Sequence, residues 1–254
     1  MIWKYSCVVA EKRDSPRVGI KTSFFMSSND LFRGIADSPK NEEQKCLCVL
    51  VLDVSGSMRG PAIKELNAGL AEFKSDIESD LTTSDRLEIS IITFGEKVKV
   101  IQMPTLIEAM KTPELEADEP STKLVDGIRE GIRMVNDRKA YYKSTNQNYY
   151  RPWIITITDG SPDPNQDVQG IATEIHEGME SKNFHFFAIG VQGADMQTLK
   201  RISHSTMPPA ELKGLKFGAF FKWLSKSMGM VVSSADGSAS FEDPTEWMKN
   251  VQTT

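Results

Sequence analysis

The chain has 254 residues, of which 39% are hydrophobic and 26% are charged, a balance typical of a globular protein with one α/β core and extensions. Its formal net charge is −5 and its basic residues are scattered, which argues against nucleic acid as a partner. No apolar run approaches the roughly 20 residues that span a bilayer, and the N-terminus has no signal-peptide pattern, so we expect no membrane partner and a cytoplasmic location.

Three cysteines cannot complete a set of disulfide bonds, which favours a reducing compartment. Cys46 and Cys48 are two residues apart in an apolar run, where they would face one side of a strand as small core residues. Neither they nor Cys7 has histidine neighbours at the spacing of a zinc site. We interpret all three cysteines as structural.

Apolar runs alternate with amphipathic segments along the chain, and this alternation predicts βα units. The predicted fold is α/β, a doubly wound and mostly parallel sheet with one antiparallel edge strand and helices on both faces. The predicted strands cover residues 45–52, 87–94, 98–101, 153–158 and 184–189. The predicted helices cover residues 61–78, 106–110, 122–136, 167–182, 196–203 and 216–231.

Several of these elements are predicted from particular residues. Pro61 suits the first turn of a helix, and the apolar residues that follow it recur at helical spacing. Gly95 and Glu96 form a tight connection to the strand at 98–101, so this pair is predicted to be a hairpin at the sheet edge. The polar segment 141–150, with paired tyrosines at each end, is predicted to be a crossover loop.

The chain divides into three predicted parts. Residues 1–42 form an N-terminal extension that is either a small hairpin or a mobile leader, and residues 43–232 form the main domain. Residues 233–254 begin with a segment of low hydrophobic content and are predicted to be a flexible tail. Phe241 and Trp247 could anchor this tail to a partner or back onto the domain.

The segment from Leu52 to Met58, Leu-Asp-Val-Ser-Gly-Ser-Met, directly follows the first apolar run. It places Asp53, Ser55 and Ser57 on a turn at the end of a buried strand, and we expect both hydroxyls to be exposed there. Oxygen ligands favour Mg²⁺, Mn²⁺ or Ca²⁺, and Mg²⁺ usually takes only one or two carboxylates. The motif therefore predicts a cation that is held but keeps open positions. The predicted rim consists of Met58, Arg59, Ser161, Pro162 and Asp163.

Two further segments supply oxygen atoms. Asp159 directly follows the strand at 153–158, and Thr122 begins a helical pattern. Ligands of an open parallel sheet gather at the carboxyl ends of its strands, so these residues are predicted to meet the Asp53 turn. The alternative is that the hydroxyls only cap helices, but capping would not require Asp159 at the end of another strand.

The ordered set Asp53, Ser55, Ser57, Thr122 and Asp159 resembles the metal-ion-dependent adhesion site of the von Willebrand factor A family, whose fold is Rossmann-like. The resemblance covers roughly residues 45–227. It implies that the two serines and the threonine contact the cation or its waters, while the two aspartates balance its charge. It also implies that a partner protein completes the coordination with a Glu or Asp.

A closer resemblance is to the bacterial tellurium-resistance-associated branch of this family. It rests on Ile91–Phe94, Arg151–Trp153, Ile157–Gly160 and Ala219–Leu224; Pro120-Ser121 stands where the family commonly has Gly-Thr. Members of this branch are small cytoplasmic domains, encoded beside a protein kinase and a metal-dependent protein phosphatase in stress-resistance or defence gene sets. The implied function is an adaptor, or a substrate, of such a pair.

Two alternative functions have weaker support in the sequence. A Mg²⁺-dependent phosphohydrolase of the aspartate type would need a second acid where this chain has Ser55, and that substitution removes the proton donor. The sequence also has no phosphate-binding glycine loop and no nucleophile elbow, so we expect no enzymatic activity. The remaining alternative, based on other A-domain proteins, is an adaptor subunit of an AAA+ ATPase.

Overall fold

The computed structural model describes residues 41–234 and 243–249. The predictions for residues 1–40, which include Cys7, and for Phe241 concern residues outside these ranges. No helix within the described ranges is long and apolar enough to cross a bilayer.

The described residues form a six-stranded sheet that confirms the predicted fold class. The strands are β1 (Cys46–Asp53), β2 (Leu87–Phe94), β3 (Val98–Leu106), β4 (Trp153–Thr158), β5 (His185–Gly190) and β6 (Ala210–Glu211). Their order in the sheet is β3-β2-β1-β4-β5-β6. Only the pairing of β3 with β2 is antiparallel among these strands, so the hairpin lies at one edge, as predicted.

Helices cover both faces of the sheet. They are α1 (Pro61–Glu78), α2 (Leu81–Arg86), α3 (Leu124–Ser144), α4 (Val168–Glu180), α5 (Met196–Ile202) and α6 (Phe217–Ser233). Alternate residues of β1 enter two different cores, because successive side chains of a strand point to opposite faces. Leu50 packs with the aromatic residues of α1 and α6, whereas Val49 packs with apolar residues of α3 and α4. The predicted inward stripe of α1 is buried, and it consists of Ile63, Leu66, Leu70, Phe73 and Ile77.

The part of α3 that extends beyond the predicted helix contains a fully buried ion pair. Arg138 donates to Glu88 of β2 from Nε to Oε2 at 2.8 Å and from Nη2 to Oε1 at 2.5 Å, and both side chains are inaccessible to solvent. The Tyr142 hydroxyl donates to the same carboxylate at 2.5 Å. The helix continues eight residues beyond Asn136, so the predicted loop at 141–150 is helical up to Ser144.

Four elements other than α3 differ clearly from the sequence prediction. β3 continues to Leu106, and only a 3₁₀ turn at Ile107–Ala109 stands where a helix at 106–110 was predicted. Two register irregularities in its pairing with β2 accompany the longer strand, which also contains Pro104. The helix α2 and the two-residue strand β6 were not predicted, because both are too short to show a hydrophobic period.

Residues 243–249 pack against the domain, which corrects the predicted flexible tail for this segment. Trp247 is 2% exposed, and its ring lies 5.0 Å from Phe220 and 5.2 Å from Trp223, both on α6. Met248 forms an antiparallel bridge with Leu212, directly after β6. Of the two roles suggested for Trp247, the structure shows anchoring back onto the domain.

Candidate metal site

The structure brings all five predicted site residues to one edge of the sheet. Asp53 is the last residue of β1, and Asp159 follows the last residue of the neighbouring strand β4. Because β1 and β4 are parallel, their carboxyl ends meet at this edge. Ser55 and Ser57 lie on the turn after β1, and Thr122 lies two residues before α3.

Asp53 is fixed by donors on both of its carboxylate oxygens. Its Oδ1 accepts the backbone N–H of Ser55 at 2.8 Å. Its Oδ2 accepts the hydroxyl of Thr158 at 2.5 Å. The Asp53 side chain is completely buried, so these contacts hold it in one orientation towards the turn.

The hydroxyl groups form a chain that links the two aspartates. Ser55 Oγ lies 3.0 Å from Ser57 Oγ, and Ser57 donates to Asp159 Oδ1 at 2.6 Å. A Cβ atom added to Gly160 would lie 3.5 Å from Thr122 Oγ1 and 3.6 Å from Ser57 Oγ, so these two hydroxyls approach the same point. Each hydroxyl oxygen keeps a lone pair for a further ligand while it donates its hydrogen.

The loop that carries Thr122 is attached at both ends. Asp163 accepts the Ser121 hydroxyl on Oδ2, and its Oδ1 accepts the backbone N–H of Thr122 at 3.1 Å. The N–H of Gly56 donates to the backbone oxygen of Glu119 at 2.7 Å. Ser121 thus has a partner that a Gly-Thr pattern would not suggest, and Asp163, predicted as a rim residue, supports the loop.

The sequence analysis missed Thr158 and Glu119. Thr158 could have been found, because Leu52 pairs with Ile157 in the parallel register, and the next residues along the two strands are Asp53 and Thr158. Glu119 had no such signal, since it is one of several acidic residues in the irregular segment 111–122.

Burial disfavours the charged forms of the Asp53 and Asp159 carboxylates. It raises the pKa of Asp53 to about 6 from its usual 3.8, and the charge of Asp159 adds to the rise, while hydrogen bonds from Ser55 and Thr158 oppose it. Burial also raises the pKa of Asp159, opposed by the hydrogen bond from Ser57. Within the described ranges, neither carboxylate has an ion pair with Lys, Arg or His.

This donor set fits a hard divalent cation. Carboxylate and hydroxyl oxygens are the ligands of Mg²⁺, Mn²⁺ and Ca²⁺, and two desolvated carboxylates without a protein cation leave charge for such an ion to neutralise. In the described part of the chain, no three His, Cys, Asp or Glu side chains cluster in a way that could hold a metal. Hydroxyl groups would therefore supply the remaining protein ligands, and the assignment of all five residues as ligands stays a prediction.

The site opens to solvent on one side. Asp53 and Ser55 are buried, Thr122 and Asp159 are partly exposed, and Ser57 is exposed. The expectation that both serine hydroxyls are exposed is therefore wrong for Ser55, which is 3% accessible. Met58 is also fully buried, so it does not belong to the predicted rim.

The fold and the site together define a doubly wound α/β domain with a polar cradle at the carboxyl ends of its parallel strands. The family description "von Willebrand factor type A domain" matches residues 48–212, more than half of the chain, and the chain belongs to this family. Domains of this family are protein-interaction and adhesion modules.

Comparisons with individual proteins agree with this assignment. Inter-alpha-trypsin inhibitor heavy chain H3 of Mesocricetus auratus is 28% identical over 129 residues, covering 50% of this chain and 14% of that protein. The open conformation of the pilus adhesin SpaC from Lactobacillus rhamnosus GG has a TM-score of 0.58 and 16% identity, covering 73% of this chain and 30% of that chain. A mutant of the PilB minor pilin from Streptococcus sanguinis has a TM-score of 0.53 and 14% identity, covering 76% and 64% of the two chains. This chain thus spans less than two thirds of each, and the two structures show a shared fold.

Proposed function

We propose that this chain is a cytoplasmic, metal-dependent protein-binding module that acts as an adaptor. The observation that carries the proposal is the arrangement around Asp53. A fully buried carboxylate is surrounded by hydroxyls and a second carboxylate, and no side chain among the described residues supplies the balancing positive charge. A divalent cation supplied from solution would balance it.

The roles proposed for the five residues rest on the resemblance to the family's metal-ion-dependent adhesion site. Ser55, Ser57 and Thr122 would contact the cation or its waters, and Asp53 and Asp159 would offset its charge. A bound Mg²⁺, or Mn²⁺ or Ca²⁺, would supply an electrophilic position that a carboxylate of another protein can fill. Ser57 marks the accessible side, so the Glu or Asp of the partner would approach there.

The supporting residues act before any partner arrives. The N–H of Ser55 and the hydroxyl of Thr158 hold Asp53 still, and Asp163 holds the N–H of Thr122. Donors that are fixed in advance reduce the entropy that binding would otherwise cost. The chain would therefore present a rigid, half-built coordination shell to its partner.

The proposed setting is a bacterial stress-resistance or defence system, as in tellurium resistance. Its support is the resemblance of Ile91–Phe94, Arg151–Trp153, Ile157–Gly160 and Ala219–Leu224 to that branch of the family. By this resemblance the partners would be a protein kinase and a metal-dependent protein phosphatase. We propose no catalytic role, because Ser55 stands where a phosphohydrolase would need its general acid.

Metal binding tests the first half of the proposal. We expect isothermal titration of the full chain with Mg²⁺ and with Mn²⁺ to show one site, and Ser57→Ala combined with Thr122→Ala to abolish it. These two residues are chosen because Ser55 is buried and its replacement would disturb the turn. Ser161→Ala, an exposed serine on the same rim, is the matched control and should bind like the unsubstituted chain. Absence of binding in the unsubstituted chain would sink the proposal.

Partner capture tests the second half. The tagged chain is incubated with bacterial lysate in Mg²⁺ or in EDTA, and the retained proteins are identified by mass spectrometry. We expect a kinase or phosphatase to be retained in Mg²⁺ and lost both in EDTA and with the double variant. Retention of a hexameric ATPase instead would favour the AAA+ adaptor, and Mg²⁺-dependent phosphate release that Asp53→Asn abolishes would show an enzyme.

A further inference from the structure

We propose that Glu119 is a positioning residue that holds the Thr122 hydroxyl in place for the metal site. This inference rests on the proposed function, since it concerns the same site. Glu119 is three residues before Thr122, and it contacts both the turn after β1 and the hairpin between β2 and β3. Glu119 therefore connects its own loop to two other segments around the cation position, to the turn through its backbone and to the hairpin through its side chain.

The backbone of Glu119 is joined to the Asp53 turn. Its oxygen accepts the N–H of Gly56 at 2.7 Å, and Glu119 forms an isolated parallel bridge with Ser55. Gly56 lies between the two serines of the site. The loop that leads to Thr122 is therefore registered directly against the residues that present the other hydroxyls.

The side chain of Glu119 is joined to the hairpin. Its Oε2 accepts the N–H of Lys97 at 3.0 Å, and its Oε1 forms an ion pair with Lys99 Nζ at 2.5 Å. The carboxylate is only 14% exposed although Lys99 is 51% exposed, so the acid lies inward while the lysine covers it. These contacts fix both oxygens of the carboxylate.

Gly95 shows how closely this side chain is fitted. A Cβ atom at Gly95 would lie 2.6 Å from Glu119 Cβ and from its Oε2, closer than non-bonded atoms approach. The backbone oxygen of Gly95 accepts the N–H of Lys123, the residue after Thr122, at 3.0 Å. The hairpin thus contacts the loop on both sides of Thr122, through Glu119 and through Lys123.

Asp163 and Glu119 hold the loop from opposite sides. Asp163 is on the loop after β4, which also carries Asp159, and it binds Ser121 and Thr122. Glu119 connects the same loop to the turn after β1. Replacing a residue that orients a metal ligand without binding the metal itself typically weakens metal affinity by about 10- to 100-fold. Lys99 is 51% exposed, and an ion pair with one solvent-exposed member contributes little to overall stability, so the effect should fall on the site.

The test compares Glu119→Ala and Glu119→Gln with Glu116→Ala, which removes an exposed carboxylate from the same loop. We expect the Mg²⁺ dissociation constant of the full chain, measured by titration calorimetry, to rise about tenfold in Glu119→Ala. Glu119→Gln should show a smaller rise because an amide oxygen can still accept from Lys97, and Glu116→Ala should show none. The midpoint of thermal unfolding in EDTA should be unchanged in all three.

A second readout needs no metal. Hydrogen exchange in EDTA should show faster exchange at the N–H groups of Gly56, Lys97 and Thr122 in Glu119→Ala, and unchanged exchange in Glu116→Ala. Equal Mg²⁺ affinity and equal exchange in Glu119→Ala and the unsubstituted chain would overturn this inference alone. A failure of the unsubstituted chain to bind Mg²⁺ or Mn²⁺ would instead overturn the proposed function and the inference with it.

Discussion

Two neighbouring strands each bury a carboxylate, at opposite ends of the sheet. Glu88 pairs with Leu47 near the start of β1, whereas Asp53 is the last residue of β1. Glu88 receives two hydrogen bonds from Arg138 and one from Tyr142, so the protein itself neutralises its charge. Among the described residues, Asp53 accepts hydrogen bonds from uncharged groups of Ser55 and Thr158 and from no cationic side chain. Its charged neighbour is Asp159.

The comparison separates a carboxylate that the protein neutralises from one that no cationic side chain among the described residues neutralises. Removing a charge from water is costly unless an opposite charge replaces the water. At Glu88 the guanidinium of Arg138 belongs to the same chain, so folding itself supplies the opposite charge. At Asp53 no Lys, Arg or His among the described residues supplies an equivalent positive charge, and the proposed cation would supply it.

The largest expected effect comes from removing the guanidinium of Arg138, the partner of Glu88. Arg138→Met should destabilise the protein by about 3 to 5 kcal/mol, because it leaves Glu88 buried without a counterion. Urea unfolding with and without Mg²⁺ measures this loss, which should be the same in both conditions. Arg133→Met is the matched control, since Arg133 on the same helix forms exposed ion pairs, and it should cost less than about 1 kcal/mol. Equal losses of unfolding free energy in the two variants would show that the buried ion pair contributes no more than the exposed ones.

At the Asp53 end of the sheet, removal of the carboxylate charge is expected to stabilise the protein. The pKa of Asp53 is raised in the folded state, so its contribution to stability is full below pH 3.8 and is lost as the pH rises through about 6. At pH 7.5 in EDTA, Asp53→Asn should therefore stabilise the protein, by about 1 to 3 kcal/mol. Urea unfolding should also show that Mg²⁺ stabilises the unsubstituted chain and not the variant. A destabilised variant in EDTA would mean that Asp53 is balanced within the protein.

A smaller effect is expected in the pH dependence of Mg²⁺ affinity. Protonation of Asp53 competes with the cation, so Mg²⁺ affinity should fall about tenfold between pH 7 and pH 5. Titration calorimetry in two buffers of different ionisation enthalpy should detect proton release near pH 6. A pH-independent affinity over this range would exclude Asp53 from the site.

His185 also makes the free energy of unfolding depend on pH. Burial, together with the charge of Arg151, lowers the pKa of His185 to about 4 from its usual 6.5. This group favours folding above pH 6.5 and loses that contribution as the pH falls through about 4, opposite to Asp53. The difference between the unsubstituted chain and Asp53→Asn at each pH cancels the His185 contribution and isolates that of Asp53.

The sequence predicted features that local pattern determines. The buried runs of β1 and β4 each end in an aspartate, and parallel pairing of such strands is enough to bring Asp53 and Asp159 to one edge. The apolar spacing of α1 likewise identified its buried stripe. Each of these predictions needed only residues within one element and the general rule for open sheets.

The remaining features depend on contacts between distant residues. Arg138 looks like a solvent-exposed residue in the helical pattern, and its partner Glu88 is 50 residues away, so neither the buried pair nor the full length of α3 could be predicted. Glu119 is one of several acids in its loop, and only its contacts with Gly56, Lys97 and Lys99 distinguish it. The sequence predicted the five oxygen-bearing residues that the structure brings to one edge, and it missed Thr158 and Glu119, which contact that region.

The position of Trp247 has a practical consequence for where this folding unit ends. The family match stops at residue 212, and the sequence suggested a limit at 232, yet Trp247 covers Phe220 and Trp223 with its own ring. A chain shortened at residue 232 would lose the ring that covers Phe220 and Trp223, and one shortened at residue 212 would lose α6 itself. The apolar surface exposed in either case promotes aggregation. Expression trials should therefore keep the sequence at least to Lys249, the last described residue of the segment.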